Sequence, residues 1–471
     1  MFLKLFAIKV NIIISINVYL HKETTLKIKD DFLKALIFIT FPIVLQSLLT
    51  TAVGSADVLM LSYVNQTSLS AVSLANQVQF VLNLVYVGLR TGTTAMTAQY
   101  WGKHDTASIR RLTLVVLRFS MGVSLLFFIL AFFMPTQLMH IFTSDPDLIQ
   151  TGAEYLRIIA FAYLFMGVSQ IYLCILKSIQ QVGRSAAIGS VTLAANVFLN
   201  AVFIFGLFGF PKLGVTGVAI STVISRAAEL GLCALDAGLI KKIHLSRDDF
   251  HDAGSVLTKN FLRYSLPVTA EGFVWGGATA VLSAIMGHLG SDIVAANSVA
   301  SVVQGLATVV CFGFAEGGAV LLGKELGQSN YRKAERDASK LIKAALISGL
   351  AGAVLMLLLK PLVTGIVRLS PQALTDLNNM YLLLALNAVL SSFTNTAICG
   401  IFCAGGDTKF GLYCDFFVMW CYSVLIGLFL GFVWKLPPVT VYIIMNLHEL
   451  VKTPFVLKHY KGKKWLKNIT I

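Results

Sequence analysis

Apolar runs of about 20 residues, each enough to span the ~30 Å core of a bilayer, recur along this chain from Phe32 to His459. Twelve can be counted, beginning near residues 32, 69, 112, 152, 186, 213, 260, 293, 338, 376, 409 and 436. A chain of 471 residues that is 56% hydrophobic and only 13% charged, with a mean hydropathy of +0.78, has too little polar surface for a soluble domain of that size. The expected fold is an all-α polytopic membrane protein of twelve transmembrane helices.

A net charge of +14 raises the question of nucleic acid, and the distribution of that charge answers it. With the N-terminus in the cytoplasm and twelve alternating spans, 27 Lys and Arg fall on cytoplasmic segments and four outside: Lys212, Lys360, Arg368 and Lys435. The other six, Arg90, Arg118, Arg157, Arg226, Arg263 and Lys343, lie within or at the edges of spans. This positive-inside bias places both termini in the cytoplasm. The tail lysines Lys458, Lys461, Lys463, Lys464 and Lys467 then read as a juxtamembrane anchor to anionic lipid, and no nucleic-acid partner is expected.

Seven cysteines sit in or beside spans without CxxC spacing, and the eight histidines lie mostly in loops or at span ends. Neither a metal site, a nucleophilic triad nor any cofactor is expected, so the chain is not read as an enzyme. The apolar stretch from Val10 to Leu20 lacks a convincing small-residue cleavage site for a signal peptide, and whether residues 1–22 belong to the mature protein is left open.

Against this background four ionisable residues stand at membrane depth. Asp57 lies in an otherwise uncharged 55-residue stretch from Ala35 to Leu89, and Arg90, Glu271 and Glu316 are similarly placed. A charged group at the centre of a bilayer costs roughly 2.5 kcal/mol or more on insertion scales, so retained ones mark a function, here a transport pathway.

The chain also repeats. Shifted by 225 residues without a gap, Pro42 falls on Pro267, Ala71 on Ala296, Gln79 on Gln304, Gly88 on Gly313, Gly92 on Gly317 and Gly102 on Gly327, among ten identities in 61 positions. A helix-distorting proline and three glycines in register weigh more than the number of matches. Each half has an even number of spans, so the two six-helix repeats run parallel, related by a pseudo-twofold axis along the membrane normal around a central cavity. The expected organisation is a cytoplasmic segment 1–31, a six-helix bundle 32–239, a linker 240–259, a second bundle 260–459 and a basic tail 460–471. Gly88, Gly92, Gly313 and Gly317, spaced i and i+4, give small faces for close helix packing.

Several segments taken together resemble the multidrug and toxic compound extrusion (MATE) family over residues 32 to 467. They are FPIVLQSLLTTAVGSADVLML in the first span, QYWGKHD ending the second, NVFLNAVFIFG in the fifth and LGVTGVAISTVISR entering the sixth. GKELGQSNYRKAERDA after the eighth span and CAGGDTKF before the eleventh complete the set. The resemblance implies secondary active antiport, in which small cationic or amphipathic organic compounds are exported in exchange for Na+ or H+, by a monomer in the inner membrane. It also implies a coupling site in which Asp57 is the first-span acid, Asn196 and Asn200 are the fifth-span partners and Thr222 is a sixth-span hydroxyl. Independently, Asn196 and Asn200 share one helical face, and amide and hydroxyl oxygens beside a carboxylate suit a hard cation or a proton network.

The chain departs from the family pattern as well. Asn200 stands where some members carry a second acid, which leaves Na+ and H+ both open, and the tenth span has only Asp376 at its edge, so a family-like C-terminal sodium site is not expected. Glu271, one turn after Pro267 and aligned with Gln46, is expected to bind substrate or a proton, with Trp275 one turn beyond as the aromatic partner of a cation. Arg90 and Glu316 align with positions next to one another in the repeat and are expected to pair between the bundles. Asp407, in Gly-Gly-Asp, reads as a turn residue and Asp415 as interfacial. A lipid-linked oligosaccharide or lipid flippase of a related export family shares the architecture, but would call for an Arg-lined cavity that Arg90 alone does not make. Substrate, coupling ion, physiological role and oligomeric state are not legible.

Overall fold

A computed structural model of the protein describes residues 31–62, 66–239, 254–367 and 369–470, the side chains of 55–59, 62 and 239 excepted. Residues 1–30, most of the expected linker, Arg368 and the Asp57 side chain therefore lie outside the described residues. The first six spans are α1 (Asp31–Ser62), α2 (Gln66–Gly102), α3 (Thr106–Phe133), α4 (Pro146–Ser178), α5 (Val182–Phe205) and α6 (Gly214–Leu239). The second six open with α7 (Ser255–Leu289), α8 (Ser291–Gly327), α9 (Tyr331–Ile366), α10 (Pro371–Phe402) and α11 (Lys409–Val433). These eleven are the described helices long and apolar enough to cross a membrane, and no strand occurs among the described residues.

Most helices start a few residues earlier than hydropathy implies, because their first turns are polar. Asp105 accepts from the Ser108 N–H at 2.9 Å, Asp145 from the Asp147 N–H at 3.0 Å, and the Ser370 hydroxyl from the Ala373 N–H at 3.1 Å. Pro146 and Pro371 stand at the first position, where no N–H is needed. Buried hydroxyls such as those of Thr93, Thr113 and Thr192 donate to the carbonyl four residues back, which pairs them within their own helix.

The twelfth apolar segment differs from expectation. It forms two short helices, α12 (Pro438–Met445) and α13 (His448–Lys461), joined at Asn446 and Leu447. The Asn446 side chain donates to the Tyr442 carbonyl at 2.9 Å, and the carbonyl of Asn446 accepts from Asn387 at 3.1 Å, so side-chain amides replace the missing helical bonds at the break. α10 and α11 also relax into π-helical turns, at Thr396–Phe402, Phe416–Val424 and Phe429–Val433. Such turns re-aim side chains and concentrate near functional sites.

The chain forms two compact units. The first holds residues 45–86 and 105–259 with the stretch through Lys34; the second holds residues 35–44 and 87–104 together with 260–471. The reason that parts of α1 and α2 belong to the second unit is close helix packing at glycines. A Cβ at Gly88 would overlap Thr269 of α7 and one at Gly92 would overlap Ser265, while Gly313 and Gly317 of α8 press in the same way on Val44 and Thr40 of α1. At the helix ends, Gly102 packs on the Lys324 carbonyl and Gly327 on the Gln99 carbonyl. Each of these contacts is the partner of another under the 225-residue shift, so the repeat in sequence is a repeat of contacts.

The last residues complete this unit. Trp465 is buried, and Gln99 donates to the carbonyls of Ala404 at 2.7 Å and Lys467 at 3.2 Å while accepting from the Ile469 N–H at 2.8 Å. Asn468 donates to the Gly327 carbonyl at 3.2 Å, and Lys103 to the Thr470 carbonyl at 2.8 Å. The tail thus docks on protein at the ends of α2 and α8, with Lys463, Lys464 and Lys467 left exposed. Gly327→Ala should lower the thermal stability of the purified protein by about 1–3 kcal/mol, because a backbone carbonyl cannot move aside as a side chain can. Gly122→Ala, where a Cβ meets nothing within 4 Å, should leave the melting temperature unchanged or slightly raised.

Candidate functional site

Two polar centres are built inside the two units, and each is described within its own. In the first unit, α5 and α6 bring together the residues that the sequence pairs. Asn200 donates to the Asn196 carbonyl oxygen at 3.3 Å, Asn196 donates to the Thr222 hydroxyl at 3.4 Å, and Thr222 donates to the Val218 carbonyl at 3.0 Å. Asn200 is fully buried and Asn196 nearly so. The i, i+4 spacing stacks the two amides on one face of α5. Asp57 is carried by α1 in the same unit, with its side chain outside the described residues.

Asn196 and Thr222 open onto a cavity of about 350 Å³, lined also by Asn76, Gln79, Asn83 and Arg226. Arg226 is bridged to Glu229 at 2.7 Å one turn along α6, and buried Glu229 accepts further from Ser169 at 2.7 Å and Gln170 at 3.3 Å. The sequence reading did not single out this pair. Its signal was present, as an Arg and a Glu at i, i+3 inside an apolar helix.

The second unit holds a denser cluster. α7 supplies Glu271, α10 Thr394 and Cys399, α11 Asp415, and α13 His448, Glu449 and Lys452. The Lys452 ammonium lies 2.5 Å from Asp415 Oδ1, and both side chains are 8% exposed. Glu449 accepts from the Thr394 hydroxyl at 2.6 Å and faces His448 Nε2 at 3.7 Å. Glu271 lies within electrostatic reach of both Asp415 and Lys452. Its carboxylate occupies the space over Gly411, where a Cβ would come within 2.7 Å and 2.8 Å of its two oxygens. Gln46, the repeat counterpart of Glu271, likewise fills the space over Gly189 of α5 in the first unit. The same side-chain position is thus neutral in one unit and acidic in the other.

Asp415 is therefore a buried member of the cluster, against the expectation of an interfacial residue. Lys452 and Glu449 were missed because the polar sequence HELVK lowers the hydropathy of the last span; the i, i+3 pair inside that span was the available signal. Trp275 lies one turn beyond Glu271 and is 45% exposed, and the indole that bonds to α7 is that of Trp420, which donates to the Val274 carbonyl at 3.0 Å. Arg90 on α2 and Glu316 on α8 are each partly buried in the second unit. Asp407 follows Gly406, whose φ of +72° makes the turn, and bonds to His459 at 2.7 Å. Asp376 is buried and accepts from Gln372 at 2.8 Å.

Comparison with known proteins agrees with this arrangement. The model of the MatE family matches residues 42–202 and again 267–433, each match opening on one of the two prolines that the repeat superposes. The chain belongs to the MatE family. MatE proteins are transporters, not enzymes, and this chain is a multi-pass membrane protein of that family. It is 27% identical over 424 residues to the uncharacterized transporter YisQ of Bacillus subtilis, covering 87% of this chain and 91% of that one. It is 24% identical over 403 residues to the multidrug resistance protein PmpM of Pseudomonas aeruginosa, covering 85% and 84%. Among solved structures, a MATE in the straight conformation superposes with a TM-score of 0.84 at 20% identity, over 92% of this chain and 96% of that one. A MOP superfamily transporter from Pyrococcus furiosus gives 0.82 at 21%, over 93% and 97%. These likenesses show the fold.

A charge-assisted hydrogen bond to a buried carboxylate contributes about 1.5–3 kcal/mol, so Thr394→Val should lower the melting temperature of the purified MatE protein measurably. Thr394→Ser, which keeps the hydroxyl that Glu449 needs, should recover most of the loss.

Proposed function

We propose that this MatE protein exports small cationic or amphipathic organic compounds in exchange for Na+ or H+, as a monomer in the inner membrane with both termini in the cytoplasm. The observation that carries the reading is the relay Asn200–Asn196–Thr222 at the wall of a cavity of mixed polar and apolar lining, in the unit that holds Asp57. Amide and hydroxyl oxygens of this kind, together with a carboxylate, can hold a hard cation or pass a proton, and a ligand in the adjoining cavity would feel whichever is bound. Ion entry at Asp57 lowers the affinity for the exported compound, and linkage makes that effect reciprocal. Names of relatives such as PmpM support multidrug efflux as the class of transport.

In the second unit, Glu271 serves as the counter-charge or proton carrier, and Arg90 and Glu316 form a pair that closes one conformation. Removal of one partner from a buried pair costs about 3–5 kcal/mol, so Arg90→Gln and Glu316→Gln should each lower stability, and the double variant should regain part of it. Strictly additive losses would separate the two residues.

The decisive test is dye efflux from proteoliposomes under an imposed sodium or proton gradient, with matched protein insertion. Asp57→Asn should abolish ion-driven efflux while leaving the melting curve cooperative, since charge is removed and shape is kept. Glu271→Gln should slow efflux of monovalent cationic dyes more than that of neutral ones. Wild-type efflux in Asp57→Asn would remove this residue from the mechanism.

A further inference from the structure

We propose that Lys452 is a tethered cation that takes the place of a coupling ion in the second unit, so that the cluster of Glu271, Asp415 and Glu449 excludes sodium. The inference rests on the ion-coupled reading above and concerns which ion the second unit can accept. The Lys452 ammonium of α13 is bridged to Asp415 of α11, with Glu449 one turn before it on the same helix and Glu271 of α7 within electrostatic reach.

A hard cation would have to displace the ammonium from Asp415 and break the contacts that Glu449 already makes. Asp415 Oδ1 is 2.5 Å from Nζ, Glu449 is engaged by Thr394 on one oxygen and faces His448 with the other, and Glu271 lies over Gly411. Cys399 on α10 and Cys414 on α11 are neighbours within electrostatic reach of Lys452, and thiols are poor sodium ligands. Lys452 cannot diffuse away, so its charge competes at a fixed, high effective concentration that a dissolved ion must overcome.

Charge arithmetic points the same way. One ammonium against three ionised carboxylates would leave a surplus of two negative charges in a buried site. A surplus of this kind is costly in a low dielectric and must be met by protons or by a mobile cation. With the ammonium bridged to Asp415, we assign the rest of the balance to protons. Mobile charge exchange in this unit is then confined to protons on Glu271 and its neighbours, whatever ion enters the first unit.

The test is sodium binding, read by titration calorimetry and by the shift of melting temperature in NaCl against choline chloride at equal ionic strength. In full-length Asp57→Asn, which leaves this cluster intact, no sodium binding is expected. Sodium binding in that variant that disappears on adding Glu271→Gln would overturn the proposal, and this holds even if no Lys452 variant folds. In Asp57→Asn/Lys452→Met, the vacated site should bind sodium with an affinity raised about tenfold or more, a coupling within the range usual for competing ligands. That gain should vanish when Glu271→Gln is added. A cooperatively melting Lys452→Met variant with no gain would also overturn it. Absence of dye efflux from wild-type proteoliposomes would instead count against the transport reading, and would leave the binding result standing.

Discussion

Close contact between helices from opposite halves of the sequence is the constraint on which the second unit depends. At Gly88, Gly92, Gly313 and Gly317 a side chain of any size would strike the facing helix, and at Gly102 and Gly327 it would strike a carbonyl oxygen. Without water to drive apolar association, close van der Waals approach is what holds membrane helices together, and small residues set how close they come. The same contacts explain why the cut between units runs across α1 and α2 as well as after Lys259.

A second constraint follows from burying charge on this scaffold. The sixth helix carries Arg226 and Glu229, and α13 carries Glu449 and Lys452, each an acid and a base at i, i+3. In each case hydroxyls or amides from a neighbouring helix complete the coordination: Ser169 and Gln170 for Glu229, Thr394 for Glu449. A buried ion pair survives only when its remaining lone pairs are occupied, so these hydroxyls are a condition for keeping the charges. Pairing of this kind leaves the first unit with a polar cavity and the second with a packed cluster, an asymmetry seeded at Gln46 and Glu271.

Much of this was legible in the sequence, and particular residues show where legibility ends. The helices were readable from hydropathy, and the 225-residue register from Pro42, Pro267 and the paired glycines, because backbone contacts tolerate one residue type. Asn196, Asn200 and Thr222 were readable because i, i+4 spacing and a family likeness point to one face. Lys452 was not, because its segment is the least apolar span and breaks at Asn446, so hydropathy treats its lysine as a loop charge. Asp415 was misplaced for a related reason. Distance along the chain from a span's edge does not reveal that α13 approaches it with an ammonium group.

The exchange of contacts across the repeat also sets an order of assembly. The glycine faces at Gly88, Gly92 and Gly102 find their partners only at Ser265, Thr269 and Lys324, residues that leave the ribosome long after α2 has entered the bilayer. At about 5–20 residues per second, a gap of this length lasts on the order of 10–45 s. Through that interval the ends of α1 and α2 must wait in lipid with their small faces unfilled. Gln99 waits longest, since its last partner here is Ile469, 370 residues further on. Maturation of the first two helices is therefore tied to synthesis of the second half of the repeat, and a product that stops before α7 would leave the glycine stripe unfilled.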